Sequence, residues 1–409
     1  MNSILYVGID VSKESNQVHA MNYNQKRLLY KSFPNSESGA DNLEDVLLKL
    51  LHKHEFKSIQ IVLETTGVYS AHIATYLSAS SKLMPYNVLV YLINPKISKN
   101  YRKSFSDMDK TDPKDAFVLA DLARVDRLKL VKPFRGSQRL ALSRLTRHRF
   151  HYAELLSKEK TYVLNNIFLK FSDFNNVFSN NFGATAVKVL LEFKTIDEII
   201  NSSLEELTDF LISTSKNKFK NPELIAKELK AAARNSYRLD KMAYDSINIS
   251  IASSMNLITF YEREIKALDK QILHLVKGLN DTPYKILKSI PGIGPVYAAG
   301  LLAEIGEIDQ FPNDAALAKY AGLTWRKRES GNYVAQQTKM TKTGNMYLRY
   351  FLIQSANLIR QNNAEYNLYF NKKFKEVKKY QFKRALVLTA RKLVRLIHSL
   401  LRDNRLFQE

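Results

Sequence analysis

Short runs of β-branched and aromatic residues, broken by polar turns, dominate the first hundred positions. Residues 4–10 (Ile-Leu-Tyr-Val-Gly-Ile-Asp) predict a strand that ends on an acid. Residues 17–21 and 28–33 predict two more strands, and 43–51 has helical periodicity. An apolar strand over 59–63 ends at Glu64, a helix fits 69–77, and 88–93 predicts a fifth strand. Asp112 and Pro113 then open a run with Ala116, Phe117, Leu119, Ala120, Leu122 and Ala123 at helical spacing. Three strands, helix, strand, helix, strand, helix is the order of an α/β layer, an antiparallel meander followed by parallel strands.

Further on the pattern turns helical. Residues 140–169 and about 243–279 each predict a long helix, and the pair fits an antiparallel hairpin or a dimerising coiled coil. Between them, 171–237 is rich in Asn and Phe and then helical, with no catalytic constellation. Residues 287–295 (Leu-Lys-Ser-Ile-Pro-Gly-Ile-Gly-Pro) precede an Ala/Leu-rich helix over 296–305, a helix-hairpin-helix pattern. Gly292 and Gly294 either present backbone N–H groups to a DNA phosphate or simply let two helices pack closely. Residues 370–406 read as basic and helical with one apolar side. The expected division is an α/β domain over 1–130, a helical connector over 131–282 and a mostly α domain over 283–409.

Charge narrows the class. Sixty-two Lys and Arg against forty Asp and Glu leave a net +22 over 409 residues, which points to a polyanionic partner. No apolar run approaches the roughly 18 residues of a membrane span, and the first residues lack a basic region followed by an apolar segment, so a membrane or secreted protein is not the expectation. With no Cys there is no disulfide, thiolate metal site or Cys nucleophile, and the paired His lack the further ligands of a zinc site. A cytoplasmic, nucleoid-associated nucleic-acid protein without membrane contact is the expectation.

Four acids fall in informative places. Asp10 and Glu64 end strands, and Asp112 and Asp115 stand three apart at a helix start, where both can share a face. Each has a plain alternative, since Asp-Pro-x-Asp is a sound helix N-terminus and strand ends are often solvated acids. Together at one sheet edge they would repel unless a hard cation such as Mg²⁺ or Mn²⁺ neutralised them. The segments Gly8-Ile9-Asp10-Val11-Ser12-Lys13, Glu64-Thr65-Thr66-Gly67 and Lys110-Thr111-Asp112-Pro113-Lys114-Asp115-Ala116 resemble the DEDD-type transposases of bacterial insertion sequences. The resemblance implies a RuvC-like, ribonuclease-H-type domain whose four catalytic, metal-holding acids match Asp10, Glu64, Asp112 and Asp115.

A second stretch is similar to the C-terminal domain of the same transposases. Residues 322–332 (Gly-Leu-Thr-Trp-Arg-Lys-Arg-Glu-Ser-Gly-Asn) place Ser330 before a turn glycine, among Arg326, Lys327, Arg328, Lys339 and Lys342. Alone this is a turn in a basic loop, with no His/Asp pair to mark a hydrolase nucleophile. The resemblance, which extends over Lys342-Thr343-Gly344-Asn345-Met346-Tyr347-Leu348-Arg349, makes Ser330 the nucleophile that joins to DNA. Trp325 stands where that family commonly has Pro. The basic residues, with Arg349, are then candidates for nucleic-acid contact. The family also implies donor and target DNA, a guiding noncoding RNA, and a homodimer or homotetramer in which two domains complete one site across protomers. Competing readings are a metal-dependent nuclease that hydrolyses branched DNA, and an actin-like ATPase whose second phosphate loop is missing from the sequence.

Overall fold

Strand β1 (Ile4–Val11) is covered by helices on both faces, and its sequence accordingly reads as a nearly continuous apolar run. The computed structural model describes residues 3–65, 67–105, 112–128, 131, 133–134, 137–279, 282–325, 329–330, 333–334 and 340–408. They form two compact units, Met1–Arg144 with Leu275–Glu409, and Leu145–His274.

In the first unit, β1 is followed by β2 (Ser15–Met21), β3 (Arg27–Pro34), α1 (Glu37–Lys53), β4 (Ser58–Glu64), α2 (Ser70–Ala79), β5 (Leu89–Ile93), α3 (Pro95–Arg102) and α4 (Asp112–Arg124). The sheet order is β3-β2-β1-β4-β5. β1 pairs antiparallel with β2 and parallel with β4, and β4 pairs parallel with β5. This is the antiparallel meander followed by parallel strands expected from the pattern, and it agrees with the ribonuclease-H-type domain that the resemblance implies. Pleat alternation sends Leu5, Val7, Ile9, Ile59, Ile61 and Leu63 to a core shared with Leu43, Leu47 and Leu51 of α1 and with Ile73 and Leu77 of α2. Tyr6, Val62, Tyr91 and Ile93 face the other way, toward Leu119, Ala120, Leu122 and Ala123 of α4.

The first unit continues near the C-terminus with α11 (Thr282–Ser289), α12 (Pro295–Ile305), α13 (Asp314–Tyr320), the two-residue strands β6 (Glu329–Ser330) and β7 (Tyr333–Val334), α14 (Met346–Asn362), α15 (Ala364–Lys375) and α16 (Gln381–Arg402). The expected basic helix over 370–406 is thus two helices. Tyr380 takes the left-handed conformation at φ 54°, and Arg384 clamps the turn by donating to the Lys373 carbonyl (3.1 Å) and to Glu376 (3.0 Å). Gly292, at φ 79°, sits where a Cβ would lie 2.8 Å from the Leu358 backbone of α14, so that glycine serves packing. Gly294 has open space around its Cβ position and begins α12.

The second unit is helical. It holds most of the long helices α5 (Ser137–Lys170) and α10 (Lys241–Leu279), with α6 (Ala184–Glu192), α7 (Ile196–Asn201), α8 (Leu204–Ser215) and α9 (Pro222–Asn235) between them. Arg149 pairs with Asp269 at 2.5 Å and Lys160 with Glu262 at 2.7 Å, so the two long helices run antiparallel. The 171–237 stretch, which the sequence left without a role, builds a core of Phe171, Phe174, Leu190, Leu207 and Leu229 against Ile167 and Ile251. Among the described residues no helix is long and apolar enough to cross a membrane.

Candidate functional site: an acidic sheet edge and a serine loop

Strand alternation and one glycine place the acids on one face of the sheet. Ile9 lies opposite Leu63 in the β1–β4 register, so Asp10 and Glu64 are the next residues of neighbouring parallel strands. Both belong to the face covered by α4, because Tyr6 and Val62, four and two residues earlier at even spacing, are in the α4 core. Gly8 lets that helix approach. A Cβ there would lie 2.0 Å from the Ala116 carbonyl oxygen and 2.5 Å from the Ala120 nitrogen. The first turn of α4, carrying Asp112 and Asp115, is thereby pressed onto the end of β1.

Helix α3 supplies partners the sequence reading did not include. Asn94 caps it by accepting from Lys96 N at 2.9 Å, and Pro95 occupies its first turn. Ser98, one turn later and buried, donates its hydroxyl to Glu64, with the Pro95 carbonyl 3.0 Å away. Arg102, four residues on and so on the same helix face, pairs with Asp115, both side chains being largely covered. Its Nε is buried and has no hydrogen-bond acceptor among the described residues. Tyr101 fixes α3 to α4 by donating to Asp121 at 2.6 Å, and the same carboxylate receives Arg124 Nε at 2.6 Å and Gln25 Nε2 at 3.2 Å. The only advance sign of this support was Asn94-Pro95, a helix start. Nothing in one dimension links Ser98 or Arg102 to the acids.

The donor set is all carboxylate oxygen, which suits a hard divalent cation better than a soft one. Asp115 already draws positive charge, in the form of Arg102. Among the described residues no three His, Asp or Glu are grouped to hold an ion, and the side chain of Asp112 lies outside that set.

The serine loop is anchored at its base. Trp325 forms an antiparallel bridge with Met340, Thr341 N donates to the Thr324 carbonyl at 2.8 Å, and their hydroxyls meet at 3.2 Å. Ser330 pairs with Tyr333 through the backbone at the end of β6. Its side chain lies outside the described residues, as do Arg326, Lys327, Arg328 and Lys339 altogether. Lys342 is exposed at φ 50°. Arg349 Nη1 donates to the carbonyls of Ala321 and Lys342, both at 3.0 Å, and burial pulls its pKa down. It therefore ties the two stems of the loop together. Asn345 caps α14 by accepting from Tyr347 N and Leu348 N at 3.0 Å, and donates to Glu304 at 2.7 Å.

Comparison with known proteins gives both halves one context. A family model named for the DEDD transposases of IS110, described as a transposase, matches residues 7–169. A second, described as the transposase IS116/IS110/IS902 family, matches residues 284–371. The chain belongs to this transposase family. The transposase is 25% identical to an uncharacterized 44.8 kDa protein of insertion element IS116 from Streptomyces clavuligerus, over 98% of this chain and 96% of that one. It is 22% identical to the pilin gene-inverting protein of Moraxella lacunata, over 99% and 98% respectively. Among solved structures, T. thermophilus RuvC with a Holliday junction substrate aligns over 32% of this chain and 99% of that one, at 14% identity and TM-score 0.25.

Proposed function

We propose that this DNA transposase cuts and rejoins strands through Ser330, with Asp10, Glu64, Asp112 and Asp115 holding Mg²⁺ or Mn²⁺. The observation that carries this is the convergence of Asp10, Glu64 and the start of α4 on one sheet face, enforced by Gly8. When bound, the ion supplies neutralising charge beside a scissile phosphate. The Ser330 oxygen forms a bond to phosphorus, the phosphorus–oxygen bond to one deoxyribose breaks, and the serine proton passes to the departing hydroxyl. A hydroxyl from the second strand end then attacks the phosphoserine and frees Ser330. One phosphoester replaces another at each stage, so no nucleotide hydrolysis is needed.

Donor and target DNA are the substrates of this reading, and a guiding noncoding RNA selects them by base pairing, as in guided nucleases. The net charge of +22 supports simultaneous contact with RNA and DNA. Gly294, at the open start of α12, and Lys342 with the basic residues around Ser330 contribute backbone contacts. A homodimer or homotetramer would supply paired active centres. Tyr162, Phe168 and Leu169 on α5, together with Ile249 on α10, are exposed apolar residues that support assembly. The name of the Moraxella lacunata relative, a gene-inverting protein, is consistent with site-specific rejoining.

Ser330→Ala tests the reading directly. Strand cleavage and the covalent protein–DNA species should both vanish while DNA binding persists. Persistence of cleavage in that variant, with a metal requirement, would instead make the protein a hydrolysing nuclease.

A further inference from the structure

The sole Trp of the chain is not in a core. Trp325 is 36% exposed at the base of the serine loop, and it lines a groove of about 1060 Å³. The α15–α16 turn lines it too, with Tyr380 82% exposed and held at φ 54°. A bulky residue in the left-handed region costs about 1–2 kcal/mol, and Tyr380 recovers none of it through burial. The floor is apolar, from Met340, Val377, Val387 and Leu388. Lys378, Lys379 and Lys383 also line it, and among the described residues no carboxylate pairs with them. The nearby Glu376 is taken by Lys373 at 2.6 Å and Arg384 at 3.0 Å. Helix α16 also begins here without a side-chain cap, leaving first-turn N–H groups beside the lysines.

Two exposed aromatic rings, an apolar floor and unneutralised ammonium groups are the ingredients of single-strand nucleic-acid binding. Bases stack on the rings, and phosphates meet the cations. A paired duplex hides its base faces, so it could use only the charge. We propose that this groove binds an unpaired segment of the DNA strand being cut, next to the phosphate that Ser330 attacks. The proposal rests on the reading of Ser330 as nucleophile for the identity of that strand, since Trp325 is five residues from the serine in sequence.

The test uses full-length protein and a fluorescein-labelled oligothymidylate, read by anisotropy. Trp325→Ala and Tyr380→Ala should each weaken binding about 5- to 100-fold, and Trp325→Phe and Tyr380→Phe should restore it to within about threefold. An abasic oligomer should bind the unaltered protein as weakly as oligothymidylate binds the alanine variants. Replacing Lys378 and Lys379 by Ala should shallow the logarithmic salt slope by about 1.4. Equal binding of oligothymidylate and abasic oligomer would overturn the proposal, as would alanine variants that fold and bind normally. Preference for oligouridylate would assign the groove to RNA and overturn it equally. Ser330→Ala protein should bind oligothymidylate normally. Cleavage persisting in that variant would therefore remove the nucleophile reading while leaving the binding result to stand alone.

Discussion

The acidic sheet edge and the serine loop are built on opposite plans. At the sheet edge the scaffold fixes the acids: the β1–β4 register aligns Asp10 with Glu64, Gly8 admits α4, and α3 holds two of the carboxylates through Ser98 and Arg102. At the serine loop only the stems are fixed, by the Trp325–Met340 bridge and the two Arg349 hydrogen bonds, while Ser330 belongs to a two-residue ladder beyond them. The difference follows from what each must meet. Carboxylates that share a cation repel one another and need a scaffold that over-determines their positions. On the proposed reading, Ser330 meets a partner outside the protein, and the loop base sets its approach.

The hardest blow to the first plan is Gly8→Ala. Its new methyl would sit 2.0 Å from a backbone oxygen of α4, so the helix must move away from β1. We expect a loss of about 3 kcal/mol or more in urea unfolding. Metal-dependent cleavage should fall with it, because Asp112 and Asp115 retreat with the helix. A variant that stays fully stable and active would show that the close contact is not what places the acids.

This contrast also governs what could be read in advance. The strands were legible because β-branched runs between polar turns leave few alternatives, and Asp10 and Glu64 stood out by ending them. Ser98 and Arg102 were not legible: they lie in the polar run Pro95-Lys96-Ile97-Ser98-Lys99-Asn100-Tyr101-Arg102, and their importance exists only once α3 folds over the sheet edge. Charge gave no sign of a second role at Arg349. A basic residue beside a basic loop reads as a phosphate contact, yet its Nη1 is spent on two carbonyls. Gly292 was ambiguous between phosphate binding and packing, and its approach to Leu358 shows a packing demand that composition could not. The break between α15 and α16 was missed because Tyr380 carries no turn signature of its own, unlike Gly or Asn.

Acid should damage the sheet before the serine side. His19 pairs with Gly8 across β1–β2, lies edge-on to Phe117 at 5.4 Å, and its buried Nε2 has no partner among the described residues. Burial, aided by Arg27 and opposed by Asp121, lowers its pKa to about 4. The fold therefore wants the neutral ring, while the unfolded chain protonates near pH 6.5. Stability from this residue is complete above about pH 6.5 and declines as pH falls toward 4, by about 3 kcal/mol in all. His19→Phe should flatten that part of the pH profile in denaturant titrations. An unchanged acid limb would place the sensitivity elsewhere.

Arg102→Met sharpens the comparison by removing the cation that, among the described residues, pairs with Asp115. Without divalent ions the variant should lose about 2 kcal/mol, since Asp115 stays largely covered beside the other acids. Millimolar Mg²⁺ should return most of that in a thermal melt, and the same ion should stabilise the unaltered protein less. Equal responses to Mg²⁺ would mean that Arg102 and the ion do not act at a common place.

The smallest effect expected is at the stem of the serine loop. Asn345→Ala removes a helix cap and the donor to buried Glu304, and should cost about 1–2 kcal/mol. Asn345→Asp separates the two roles. A carboxylate is as good a cap as an amide oxygen and better suited to the helix dipole, so the cap alone predicts no loss. It also sets a second negative charge against Glu304, where the amide nitrogen now donates at 2.7 Å. If the stem depends on that side-chain bond, Asp should be at least as damaging as Ala near neutral pH and should improve as acid protonates the pair. If only the cap matters, Asp should match the unaltered protein at every pH in the same melts. The first outcome fits a loop whose base is held by several specific bonds. The second would leave the Trp325–Met340 bridge and Arg349 as its main anchors.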